Sequence, residues 1–171
     1  MNTAFDKSKI GGYFTFEHIR DGQVIDRWYD SNIVVDEGLN YILDAALSGA
    51  TAHTTHYLGL FKNNYTPISS NVMATFPGAG VALEANSEYN EATRRTWNEA
   101  GVSAKTITNS ASPATFTFNT TVTIYGAFLS SDSTKAGTTG TLVSAAKFSS
   151  ARSMLANDVL NVTYTITASS T

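Results

Sequence analysis

His53 and His56 stand three residues apart, a spacing that on a helix would place two imidazoles on one face and could hold a divalent metal. Their setting, Thr-Ala-His-Thr-Thr-His, reads instead as loop, and no carboxylate lies close by in the chain. The expectation is two solvated loop histidines and no metal site. His18 falls in a strand-like run and is expected to be a hydrogen-bonded strand residue. Asp26, Asp30, Asp36, Glu37, Asp44, Glu84, Glu88, Glu91 and Glu99 could supply an acid and base for glycoside cleavage. No two of them are set apart by apolar surroundings. Serine is plentiful, yet no Gly-x-Ser-x-Gly elbow, phosphate-binding loop or dinucleotide fingerprint occurs. Gly78-Ala79-Gly80 is too isolated to cradle a phosphate and reads as a turn. The residues therefore predict no catalytic group and no cofactor.

The most pointed polar–aromatic cluster is Arg94-Arg95 with Trp97. Arginine and tryptophan dominate interface hot spots, so these residues are candidate anchors for a partner. The same types also make cation–π or ion-pair staples inside one subunit, and both readings stand at this point. Asn63, Asn64 and Tyr65, in the turn-like Asn-Asn-Tyr-Thr-Pro, complete the candidate interface set.

Positioning such residues needs a core. The chain has 171 residues, enough for one domain, and 42% of them are apolar. Charged residues make up only 15%, against about 25% in typical globular proteins, so Ser, Thr, Asn and Gly must furnish the surface. The net charge of −3 and the lack of a basic run argue against electrostatic binding of nucleic acid. There is no cysteine, hence no disulfide. The first residues lack the apolar centre of a secretory signal. No apolar run approaches the ~18 residues of a membrane-spanning helix. A soluble protein made in the cytoplasm is expected.

Residues 1–12 read as a flexible arm ending in Gly11-Gly12, and 13–171 as a single domain. Tyr13 to Ile19 and Gln23 to Tyr29 flank Arg20-Asp21-Gly22, a strong hairpin signal. Alternation puts Phe14 with Phe16, and Val24 with Trp28, on shared faces. A helix is predicted over 36–48, with Asp36 as N-cap, Glu37 favouring the helix dipole and Gly49 just past the end. Leu39, Ile42, Leu43, Ala46 and Leu47 form its apolar stripe. Burying that stripe would give roughly 6–12 kcal/mol, about what ordering the backbone costs, so the helix is expected only as a lid on a sheet. Thr55 to Lys62 reads as a buried strand. Residues 68–102 read as an irregular excursion. Asn71 to Phe76 is at most one helical turn there, and Glu91 to Glu99 is helix or extended. Downstream strands are predicted at 104–108, 114–119, 122–129, 141–148 and 159–168. Ser130 to Gly140 reads as a flexible loop, and Ala156-Asn157-Asp158 as a tight turn. The pattern predicts a mainly β fold, an antiparallel β-sandwich or jelly-roll-like barrel with one packed helix.

Two blocks carry a resemblance. Residues 32–50, NIVVDEGLNYILDAALSGA, are followed by HYLGLFKNNYTP at 56–67. Near the other end stand Ile124-Tyr125-Gly126-Ala127-Phe128-Leu129, Gly140-Thr141-Leu142, Phe148 and Asp158-Val159-Leu160-Asn161-Val162-Thr163-Tyr164. In this order the motifs resemble those of small structural proteins of tailed-bacteriophage virions. The resemblance implies assembly without catalysis: a capsid decoration or cement protein on the outer head surface. Its partners would be the major capsid protein and further copies of itself, a trimer before a dimer. The alternative it leaves is a tail, baseplate or fibre component that meets a host receptor. The arm 1–12 and the excursion 68–102, outside the matching blocks, are the expected contact regions.

Overall fold

Asp21 and Gly22 both take positive φ, 50° and 76°, the twist that a two-residue turn needs between right-twisted strands. They join β1 (Ser8–Arg20) to β2 (Gln23–Ser31). The computed structural model describes residues 8–78 and 80–170. Among these, ten strands build two antiparallel sheets, and the fold is mainly β with one short helix. The further strands are β3 (Ile33–Val34), β4 (Tyr57–Phe61), β5 (Arg95–Thr96), β6 (Thr106–Thr108) and β7 (Ala114–Thr117). Three long strands follow: β8 (Val122–Ser130), β9 (Leu142–Met154) and β10 (Val159–Ser170).

The first sheet runs β2-β1-β10-β6, with β7 also on β10. The second runs β3-β9-β8-β4-β5. β1 and β10 pair from Ser8 with Ser170 to Ile19 with Val159. Ser8 to Gly12, read as part of a flexible arm, therefore belongs to a strand; the rest of that segment lies outside the described residues. Gly12 permits the pairing, since a Cβ there would collide with the Thr165 carbonyl oxygen.

The main core lies between the sheets. Phe14, Phe16 and Trp28 of the first sheet are buried, and the Phe16 and Phe148 rings meet edge-on at 4.5 Å. Val24 does not share the Trp28 environment. The register shifts between His18 and Ile19, so Val24 pairs with Ile19 and is exposed. A bulge reverses the facing of residues beyond it.

A second core lies on the far side of the second sheet. Phe61, Phe128, Leu142 and Ala145 meet Met73, Phe76 and Ala82, which come from segment 68–102. That segment is irregular as predicted, but it is a third layer rather than an excursion. Phe76 stands edge-on to Phe61 at 6.0 Å and to Phe128 at 5.4 Å.

The helix α1 (Asp36–Leu43) continues as a π-helical turn, Asp44–Ser48, and Gly49 closes it with φ 75°. Val35, not Asp36, occupies the N-cap, without a side-chain hydrogen bond. The predicted stripe is not what packs: Leu39 and Ile42 are half-buried, while Leu43, Ala46 and Leu47 are exposed. Gly38 makes the closest approach, because any Cβ there would overlap the Val143 backbone. A helix seated on backbone uses its smallest residue, which a search for large apolar residues overlooks.

Candidate functional site

The two faces of the first sheet differ in chemistry because side chains alternate. Phe14, Phe16, Val162 and Tyr164 point into the core. Tyr13, Thr15, Glu17, Asn161, Thr163 and Thr165 occupy the opposite face. Cross-strand register organises that face into rungs. Ser31, Tyr13, Thr165 and Thr108 form one; Tyr29, Thr15 and Thr163 the next; Arg27, Glu17, Asn161 and Thr115 the third. The Thr108 and Thr165 hydroxyls lie 2.8 Å apart. Thr115 donates to Asn161 Oδ1 at 2.9 Å. Arg27 and Glu17 neutralise one another at 2.7 Å, and the arginine holds the Glu17 carboxyl below its usual pKa.

Tyr29 is 73% exposed and Tyr13 42%. Between them lies a hollow of about 590 Å³ bordered by Gly11, Thr15, Ser31 and Thr167. A Cβ at Gly11 would meet nothing within 4 Å, so the missing side chain keeps the hollow open. The result is a hydroxyl-rich face with two projecting phenols and little net charge.

The residues singled out as interface candidates sit elsewhere. Arg94 is buried, and its guanidinium is fully engaged. Nε and Nη2 donate to the two Glu84 carboxylate oxygens at 2.9 and 2.8 Å. Nη1 donates to the Asp132 carbonyl and Nη2 to the Gly137 carbonyl, each at 2.9 Å. The group also lies over the Phe128 ring at 5.1 Å. Of the two readings open for Arg94, the geometry is that of the internal staple. Trp97 is buried too, its indole N–H donating to the Tyr164 carbonyl at 3.1 Å. Arg95 is half-buried in β5, opposite Leu58. Asn63 is held by Val81 and Leu83, and Tyr65 accepts from Asn71 at 2.8 Å. Asn64 alone of the six is exposed.

The Arg94 staple also ties down residues 130–140, which form a loop as the sequence predicts. Ser130, Asp132 and Gly137 all accept from Arg94, and Ala136 N–H donates to Glu84 at 2.7 Å. Other carboxylates serve likewise. Glu37 does more than complement the helix: its Oε2 accepts the N–H groups of Met73 at 2.8 Å and Leu142 at 2.7 Å, tying helix, third layer and second sheet together. Asp30 accepts from Ser149 at 2.9 Å, and Glu91 from Thr117 at 3.2 Å.

Asp158 is a polar centre that the sequence reading placed only in a turn. Arg20 grips it through Nε at 2.8 Å and Nη2 at 2.7 Å, and His18 Nε2 and the Leu155 N–H each approach at 2.7 Å. Arg20 foremost, then the Leu155 amide and His18, hold its carboxyl far below the usual range. Asn157 beside it takes φ 72°, in keeping with the predicted tight turn. The sequence signal was Ala-Asn-Asp before a strand, but its charged partners lie about 140 residues away.

His53 and His56 flank Tyr41, with ring centroids 5.0 and 5.6 Å from it. His56 is half-buried, and burial, reinforced by His53, lowers its pKa. Among the described residues, no group of three or more His, Asp or Glu is arranged to hold a metal ion. Compared with known proteins, the chain matches no family model, and no curated protein matches it.

Proposed function

We propose that the chain is a non-enzymatic structural subunit of a tailed-bacteriophage virion, a decoration protein that caps the outer head and bridges major capsid subunits as a homo-oligomer. The observation that carries this reading is the open face of the first sheet. Hydroxyls and two exposed tyrosines offer contact area at low entropic cost, the composition that interfaces favour. Glu37 and the Arg94–Glu84 pair are engaged in holding layers together, which suits a rigid part rather than a site that moves protons. The two motif blocks at about 31–67 and 122–166 agree with it.

The mechanism is linkage. A protein that binds the assembled lattice and not free subunits stabilises the shell, by about 2.7 kcal/mol per site at a hundredfold excess over Kd. Quantitative mass spectrometry of purified particles tests the reading: hundreds of copies per particle support it, and a few dozen or fewer overturn it.

A second reading has its own observation. The hollow between Tyr13 and Tyr29, lined by phenols and hydroxyls together with Lys9, suits a sugar ring, as a tail or fibre component meeting host glycan would require. Low copy number, with binding of particles to host glycan lost in Tyr29→Ala, would favour it.

A further inference from the structure

Burial leaves an unusual residue set at the end of the sandwich beside α1. A groove of about 420 Å³ opens there between the two sheets, its wall built from Ile10, Trp97, Ile107, Leu129, Val143 and Ile166. The helix contributes Tyr41 and Ile42 to that wall. Next to Ile42, Leu43 projects outward at 54% exposure, and Leu47, in the π-helical turn that follows, does so at 80%. Val102, 71% exposed, stands on the lip. Leu43 and Leu47 are four residues apart, so they share a helical face. A cluster of this kind, hole and projections together, marks a protein contact rather than ordinary surface.

The charges beside these features are opposite. Asp44 sits in the projecting turn, exposed, and Lys105 on the lip of the groove, also exposed. Among the described residues neither forms an ion pair. Ala104 and Lys105 take φ 49° and 62° in a two-residue turn closed by reciprocal Ser103–Thr106 hydrogen bonds of 2.9 Å, the geometry a tight hairpin requires, and this turn fixes the backbone that carries Lys105.

We infer that this end of the sandwich is the contact between copies of the chain. Leu43 and Leu47 of one copy enter the groove of the next, and Asp44 meets the neighbour's Lys105. A patch that carries both projection and hole, with matching charges, is complementary to itself, and a two-fold or three-fold ring closes it. The inference builds on the homo-oligomer of the virion reading but uses a surface separate from the open sheet face. It can therefore fail while capsid docking stands.

Sedimentation velocity of the purified chain, without particles, from low micromolar to submillimolar concentration, tests it. The expected result is a concentration-dependent dimer or trimer. Leu43→Ser with Leu47→Ser should weaken association at least about 30-fold, the scale of interface hot spots. Their exposure means the melting curve should hardly move at concentrations where the chain is monomeric. Lys105→Asp should weaken association about tenfold, and adding Asp44→Lys should restore it to near the original value. A monomer at every concentration, association indifferent to the leucine pair, or failure of the charge exchange to rescue would overturn the inference.

Discussion

The two sheets are built from the same strand geometry but face different surroundings. The second is covered on both sides, by the first sheet within and by segment 68–102 without. Its strands accordingly run Leu-Gly-Leu-Phe in β4 and Gly-Ala-Phe-Leu-Ser in β8, buried at successive positions. Among the described residues the first sheet is covered on one side, and its strands alternate, as in Tyr-Phe-Thr-Phe of β1. A sheet buried twice carries continuous apolar runs; one buried once carries a period of two. The difference teaches where partners can sit. The doubly covered sheet has its broad faces occupied by its own chain, while the other keeps a face open.

The sharpest way to break this contrast is at the cover. Arg94→Ala should destabilise the protein by about 3–5 kcal/mol, because Glu84 is left buried without its cation; chemical denaturation measures it. A loss below about 1 kcal/mol would mean the third layer is not fastened as described. Next in size is Asp158→Asn, which replaces a charged group that makes four hydrogen bonds, to Arg20, His18 and the Leu155 amide, and should cost about 1.5–3 kcal/mol at neutral pH. The sign of the pH effect follows from its depressed pKa. The stabilisation is present above the unfolded carboxylate value near 4 and is lost as pH falls toward the folded value. Thermal melts below about pH 4 should therefore fall more steeply in the original protein than in the variant.

Neighbouring glycines give a smaller and more local comparison. Gly12→Ala drives a methyl into the Thr165 carbonyl and should cost about 1–3 kcal/mol. Gly11→Ala points into open space and should stay within about 0.5 kcal/mol. Equal losses in the two melting curves would contradict the assignment of their faces. Least of all in stability, Tyr29→Ala should shift unfolding by no more than about 0.5 kcal/mol, yet reduce occupancy on particles. Unchanged occupancy would remove the open face from the proposed docking surface.

Much of this contrast was legible in the chain. The Asp21-Gly22 hairpin, the long downstream strands and the shared buried face of Phe14 and Phe16 followed from turn chemistry and alternation. What stayed hidden depended on partners distant in sequence. Met73 and Phe76 have no period, so nothing local said that they roof Phe61 and Phe128. Arg94 looked equally like an anchor or a staple until Glu84, Ser130, Asp132 and Gly137 surrounded it. The helix was found but its packing face was not, because Gly38 leaves no mark on an apolar stripe. The open face could be inferred from its threonines only once register had aligned them.

The pairing of β1 with β10 has a consequence in time. Phe14 and Phe16 find their partners Tyr164 and Val162 only after roughly 150 further residues have been made. At ribosomal rates that is a delay of roughly seven to thirty seconds, during which the first hairpin waits with its aromatic side unroofed. Closure then depends on contacts remote along the chain, the kind that make folding slow. The sandwich is therefore sealed late, and a chain halted before its last strand has no way to complete the first sheet.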